Sequence, residues 1–119
     1  MKRRRGKFVN QVNLVGRVAR EPELRKTSTG KSYMFLTLAV GYWDRREQKE
    51  KADFITVTLW TKDAERCRSL VKGSLVRITG RISSGSFKKD GKTEYRTEVV
   101  AEEIDFLAKP KSAVEGKGA

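Results

Sequence analysis

Trp43, Phe54, Trp60 and Phe87 are the residues of this 119-residue chain whose type and setting could do chemistry. Each falls in or beside a β-rich stretch, and each has bases close by, such as Arg45 and Arg46 after Trp43 or Lys88 and Lys89 after Phe87. What they offer is stacking, not bond-making. A flat ring accepts another flat ring on its face, while lysine and arginine neutralise phosphate. An unpaired nucleic-acid strand presents both partners, so the combination points to binding of such a strand.

Composition points the same way and excludes much else. Lys and Arg outnumber Asp and Glu by 27 to 15, a formal charge of +12. Such a charge attracts polyanions from a distance and does so less as salt rises. There is no histidine, so neither a Ser-His-Asp triad nor a Cys-His pair can be built. Zinc would find one thiolate, Cys67, and scattered carboxylates. No catalytic residues, metal or cofactor are expected, and the chain does not read as an enzyme. Cys67 itself reads as a small apolar residue on a helix face.

No run approaches the roughly 18 apolar residues of a membrane span. Met1 to Lys7 is basic, but Phe8-Val9 is followed at once by Asn10-Gln11, so the hydrophobic part of a secretion signal is missing. A cytoplasmic setting without a membrane partner is the expectation.

The elements that must position the rings follow from periodicity. Residues 1–7 form a basic arm. A first strand runs from Phe8 to Val18, with Val12, Leu14, Gly16 and Val18 on one face. Glu21-Pro22-Glu23 breaks the run, and Thr27 to Gly30 is a turn. A second strand, Tyr33 to Tyr42, sets Met34, Leu36, Leu38 and Val40 against Tyr33, Phe35, Thr37 and Ala39. Asp44 to Lys51 reads as a solvated hairpin loop. A third strand, Phe54 to Trp60, alternates Ile55, Val57 and Leu59 with Phe54, Thr56, Thr58 and Trp60. The aliphatic set is the core face, which leaves both rings outside.

The period then changes. Thr61 caps a helix through Lys72, with Asp63 and Glu65 in the first turn and Gly73 as its stop. A fourth strand runs from Leu75 to about Ile82. Asp90-Gly91 marks a hairpin tip, and a fifth strand covers about Glu94 to Phe106. Three strands, a helix and two more strands describe an all-β domain with one short helix, the OB-fold five-stranded barrel, over residues 8–107. Residues 108–119 read as a disordered tail.

Several ordered segments give the chain a recognisable family likeness. Asn10-Gln11-Val12 with Leu14-Val15-Gly16-Arg17, then Pro22-Glu23-Leu24-Arg25, resembles the opening of the bacterial single-stranded DNA-binding protein family. Thr37-Leu38-Ala39-Val40, Asp53-Phe54-Ile55, Leu59-Trp60 with Ala64-Glu65, Lys72-Gly73-Ser74, Gly80-Arg81 and Tyr95 to Val99 continue it. The resemblance implies an OB-fold, a homotetramer and binding of single-stranded DNA without sequence preference. Such binding would serve replication, recombination, repair or DNA uptake. It puts stacking on Trp43, Phe54, Trp60 and Phe87, with Tyr42 as the alternative to Trp43 because the loop there differs in length. Arg17, Arg25, Thr37, Lys62 and Lys72 align with the DNA path or beside it. Phe35 stands where the family has a polar or basic residue and is an additional candidate ring. The family's acidic, Phe-terminated tip has no counterpart in Val114 to Ala119, so recruitment of enzymes through such a tail is not expected.

Each site also has a plainer reading. Phe54 and Trp60 could be buried rings, but the aliphatic face already supplies a core. Phe87 could pack locally near its hairpin tip, and Tyr95 reads as a structural strand residue. Lys88 and Lys89, with Lys92, crowd one hairpin and are candidates for phosphate contact, as are the seven bases among residues 1–20. Arg66 and Arg68 read as a wet helix face. The rival functions are an RNA-binding OB module, since the same rings stack on RNA, and a primosome-type adaptor that binds proteins.

Overall fold

In the computed structural model, which describes residues 7–110, those residues form six strands and one helix. The strands are β1 (Val12–Val18), β2 (Glu23–Lys26), β3 (Ser32–Asp44), β4 (Lys49–Trp60), β5 (Leu75–Lys89) and β6 (Lys92–Ala108), with α1 (Thr61–Arg66) between β4 and β5. The sheet order is β1-β5-β6-β4-β3-β2, and a further β1–β3 pairing closes the ring. All pairings are antiparallel except β4 with β6. The closed barrel is thus built from β1, β3, β4, β5 and β6, the five-stranded arrangement expected from the sequence.

The inward faces are those the alternation implied. Leu36, Leu38, Val57 and Leu59 are completely buried, as are Val76 and Ile78 of β5. Ala64 and Cys67 close one end of this core. Burial pushes the Cys67 thiol up to about 11, so it stays protonated and inert at neutral pH. Thr58 keeps outward parity and is nevertheless buried. Phe35 on β3 and Val100 on β6 flank it directly, and its hydroxyl has no hydrogen-bond partner among the described residues.

Two glycines permit the closure. A Cβ on Gly16 would lie 2.4 Å from the Ala39 carbonyl oxygen, and one on Gly80 would lie 2.1 Å from that of Val100. The β5–β6 register shifts at Thr79/Gly80, where the sheet bends most closely onto itself. Gly80→Ala is expected to destabilise the barrel by roughly 1–3 kcal/mol, because backbone must move to admit the methyl. A urea titration checks this: the midpoint falls while the slope stays constant. An unchanged midpoint contradicts the close approach.

Several elements differ from the periodicity reading. Four residues, Glu23–Lys26, form a strand paired with β3 (Glu23↔Phe35 to Lys26↔Ser32), where only a break and a turn were expected. Its single apolar residue, Leu24, is too little to register as alternation. The helix stops at Arg66, not Lys72. The chain beyond it is drawn to β1, with Val18 N–H donating to the Ser74 carbonyl at 2.9 Å and Gly73 N–H to that of Val18 at 2.8 Å. Those ties compete with further helical turns and win. Thr61 does not cap the helix through its side chain; Trp60 holds the N-cap position and Thr61 has a positive φ of 48°.

The first strand starts at Val12, because Asn10 has left the sheet and clasps Ile82 through its side-chain amide (2.8 and 2.9 Å). The charged stretch at Asp44 to Lys51 is an ordered hairpin. The Asp44 carboxylate accepts the N–H groups of Arg46 and Glu47, and Lys51 lies 3.0 Å from Asp44 and 2.7 Å from Glu47. These contacts hold both acids below the usual carboxylate range, chiefly the Glu47 backbone N–H for Asp44 and the Lys51 ammonium for Glu47. The β5–β6 hairpin is also longer at both limbs, reaching Lys89 and Lys92. Of the expected basic arm and tail, residues 1–6 and 111–119 lie outside the described residues.

Candidate nucleic-acid interface

The β3–β4 ladder sets the site. Its register pairs Tyr33 with Trp60, Phe35 with Thr58, Thr37 with Thr56, Ala39 with Phe54 and Trp43 with Glu50. Alternate residues share a face, so Phe35, Thr37, Trp43, Phe54 and Trp60 all stand on one outer wall. Phe54 and Trp60, six residues apart on one strand, are separated by about 20 Å. Phe54 is 69% exposed and Trp43 56%. Tyr42 has the parity of Leu38 and Val40 and therefore faces away from this wall.

Cations border the wall through neighbouring strands. Arg17 of β1 pairs with Ala39, extending the Phe54 rung. Its guanidinium donates to the Gly73 carbonyl at 2.8 Å, which fixes it beside Lys72. Arg25 of β2 pairs with Tyr33, extending the Trp60 rung. The Glu23 carboxylate, 2.7 Å away, raises the Arg25 pKa further. Lys62 follows Trp60 at the helix start and shares a cleft with Lys31 and Arg66.

Phe87, Lys88 and Lys89 lie apart from that wall, on the projecting β5–β6 hairpin. Phe87 pairs with Glu94 and Gly85 with Arg96, so Phe87, Lys89 and Arg96 share one face. Lys88 lies on the other face with Tyr95. Tyr95 is 80% exposed; the structural role expected for it has no packing to support it. Arg68, in the turn after the helix, is exposed as expected, but the Arg66 guanidinium lies 5.8 Å from the Phe106 ring.

Tyr33, Lys31 and Arg96 are part of these surfaces and were missed in the sequence. The Tyr33 ring is 5.5 Å from Phe35, edge-on, and 5.5 Å from Trp60, tilted by 36°. It thereby joins the two into one platform. The signal for Tyr33 was its shared parity with Phe35, two residues on. Nothing local marks Lys31 or Arg96, whose positions depend on strand pairing.

A shallow, ring-studded, basic wall suits a polymer better than an enclosed pocket suits a small molecule. A cleft of about 610 Å³ lies elsewhere, between Leu70, Val71 and Phe106, and includes none of these rings. A closed five-stranded barrel with one capping helix and rings along the β3–β4 wall defines an OB-fold binding domain. The family model for the single-strand binding protein family matches residues 9–107, and the chain belongs to that family.

Single-stranded DNA-binding protein 3 of Clostridium acetobutylicum is 42% identical over 102 residues, covering 83% of this chain and 71% of its relative. Single-stranded DNA-binding protein 2 of Listeria innocua is 41% identical over 112 residues, covering 92% and 70%. Among solved structures, the wild-type single-stranded DNA binding protein of Thermus aquaticus superposes with a TM-score of 0.73 at 31% identity. That match covers 83% of this chain and spans half the length of the Thermus chain.

Proposed function

We infer that this chain binds single-stranded DNA without sequence preference and covers it without chemical turnover. The observation that carries the reading is the common outward face of Phe35, Phe54, Trp60 and Trp43, bordered by Arg17 and Arg25. Bases stack on these rings, each adding about 1–3 kcal/mol, and every base offers a suitable face. Duplex is excluded because its bases are already stacked on one another. Thr37 lies between the rings, while Lys62, just after Trp60, and Lys72, beside Arg17, serve as phosphate ligands. Phe87 extends the path along the β5–β6 hairpin, with Lys88 and Lys89 neutralising phosphate from its two faces.

The decisive measurement is tryptophan emission during titration with oligo-dT at two salt concentrations. Binding quenches the indoles and weakens as salt rises. Unquenched emission with no complex at low salt refutes the reading. A matched RNA oligomer in competition is expected to lose to DNA, and equal competition would favour an RNA-binding role. Assembly as a homotetramer belongs to the same proposal, supported by family membership, since linked barrels make successive contacts intramolecular. Sedimentation equilibrium at four times the 13.5 kDa chain mass is the expected result.

A further inference from the structure

Two rings of the interface each have a cation beside them. The Lys31 ammonium lies 6.0 Å from the Trp60 ring centroid, and the Arg96 guanidinium lies 5.2 Å from that of Phe87. Both side chains are exposed, and among the described residues neither has a carboxylate nearer than 4.0 Å. Arg96 has Glu98 as a carboxylate neighbour at the long distance of 4.0 Å. Lys31 borders an open cleft with Lys62 and Arg66. The acid of that cleft, Glu65, is engaged by the Ser32 hydroxyl and lies 3.5 Å from Arg68.

A cation over an exposed ring gains less than a base stacked on the same ring, and a charge-assisted contact to phosphate is stronger than a neutral hydrogen bond. An incoming nucleotide therefore outcompetes the cation for the ring and offers it a better partner. Lysine and arginine stems are long enough to swing from the ring face to the phosphodiester beside it. Each displaced cation also releases a counterion from the strand.

We propose that Lys31 and Arg96 are phosphate-binding residues of the interface, resting on Trp60 and Phe87 in the free chain and passing to the backbone of the nucleotide that stacks there. The proposal rests on the single-strand reading above. It makes stacking and charge neutralisation one coupled event at each of these two rings.

The test uses Lys31→Met and Arg96→Met, which remove charge and keep an unbranched stem, with Lys31→Arg and Arg96→Lys as conservative partners. Oligo-dT affinity is measured between 50 and 200 mM salt for each. Each Met variant is expected to lower the slope of log affinity against log salt by about 0.7. Across that salt range the wild type then weakens by about 2.6-fold more than the variant. The conservative variants keep the wild-type slope. Met variants with the wild-type slope, or with tighter binding throughout, show cations that merely obstruct the rings and overturn the proposal. A slope lowered equally by Lys31→Arg does the same. If the wild type itself fails to bind, the stacking reading falls first and this inference with it.

Discussion

Replacing Trp60 and Phe54 together by alanine is expected to weaken oligonucleotide binding at least about thirtyfold, and by a similar factor for every sequence. Each ring contributes roughly 1–3 kcal/mol to stacking. The two stand about 20 Å apart on one strand, far enough for their effects to add. The outcome is a loss of about 2–6 kcal/mol, read from titrations with thymine, cytosine and adenine oligomers. Because neither ring carries charge, the salt slope stays at its wild-type value. Trp60 also touches Tyr33, so Trp60→Phe serves as the control, keeping a ring there and most of the affinity. A loss confined to one base, or a double variant no weaker than one single variant, contradicts stacking along this wall.

Leu36→Ala should act on stability instead. Leu36 is completely buried between Met34 and Leu38 on the inward face of β3. Leucine-to-alanine changes in such settings cost about 2–5 kcal/mol, the lost transfer energy plus that of the remaining cavity. Against the 5–15 kcal/mol typical of a small domain, that is a large share. Urea unfolding at fixed protomer concentration reads it as a lowered midpoint. Fixing the concentration matters because an assembling chain gains stability by mass action. A cost below about 1 kcal/mol would mean that the barrel interior is not packed as described.

The two variants separate the layers of this molecule. Trp60 and Phe54 lie outside the buried core, and Leu36 faces inward, away from the outer wall. Loss of affinity with an unchanged urea midpoint is the signature of the first pair, and the reverse is that of Leu36 at temperatures where the variant remains folded.

How far this could be read in advance depends on the range of the interactions involved. Face assignment in β3 and β4 was fully legible, since alternation is a local property and one buried face enforces it. Leu36, Leu38, Val57 and Leu59 went inward and Phe35, Phe54 and Trp60 outward, as their spacing demanded. The helix was overextended because Ala64, Cys67 and Val71 keep helical spacing beyond Arg66. Only the distant ties of Gly73 and Ser74 to Val18 reveal why it ends. β2 was invisible because its hydrogen bonds, not its side chains, make it a strand.

The amino-acid order by itself determined which rings would be left outside the core, how strongly basic their surroundings are and that acid–base chemistry through histidine is absent. Tertiary structure alone decided that Tyr33 bridges Phe35 and Trp60, that Arg17 and Arg25 extend the Phe54 and Trp60 rungs, and that Lys31 and Arg96 lie against two rings. The reason is physical. Which face a side chain takes follows from the residue and its immediate neighbours, whereas which side chains meet follows from strand register, set by pairings between residues far apart in the chain.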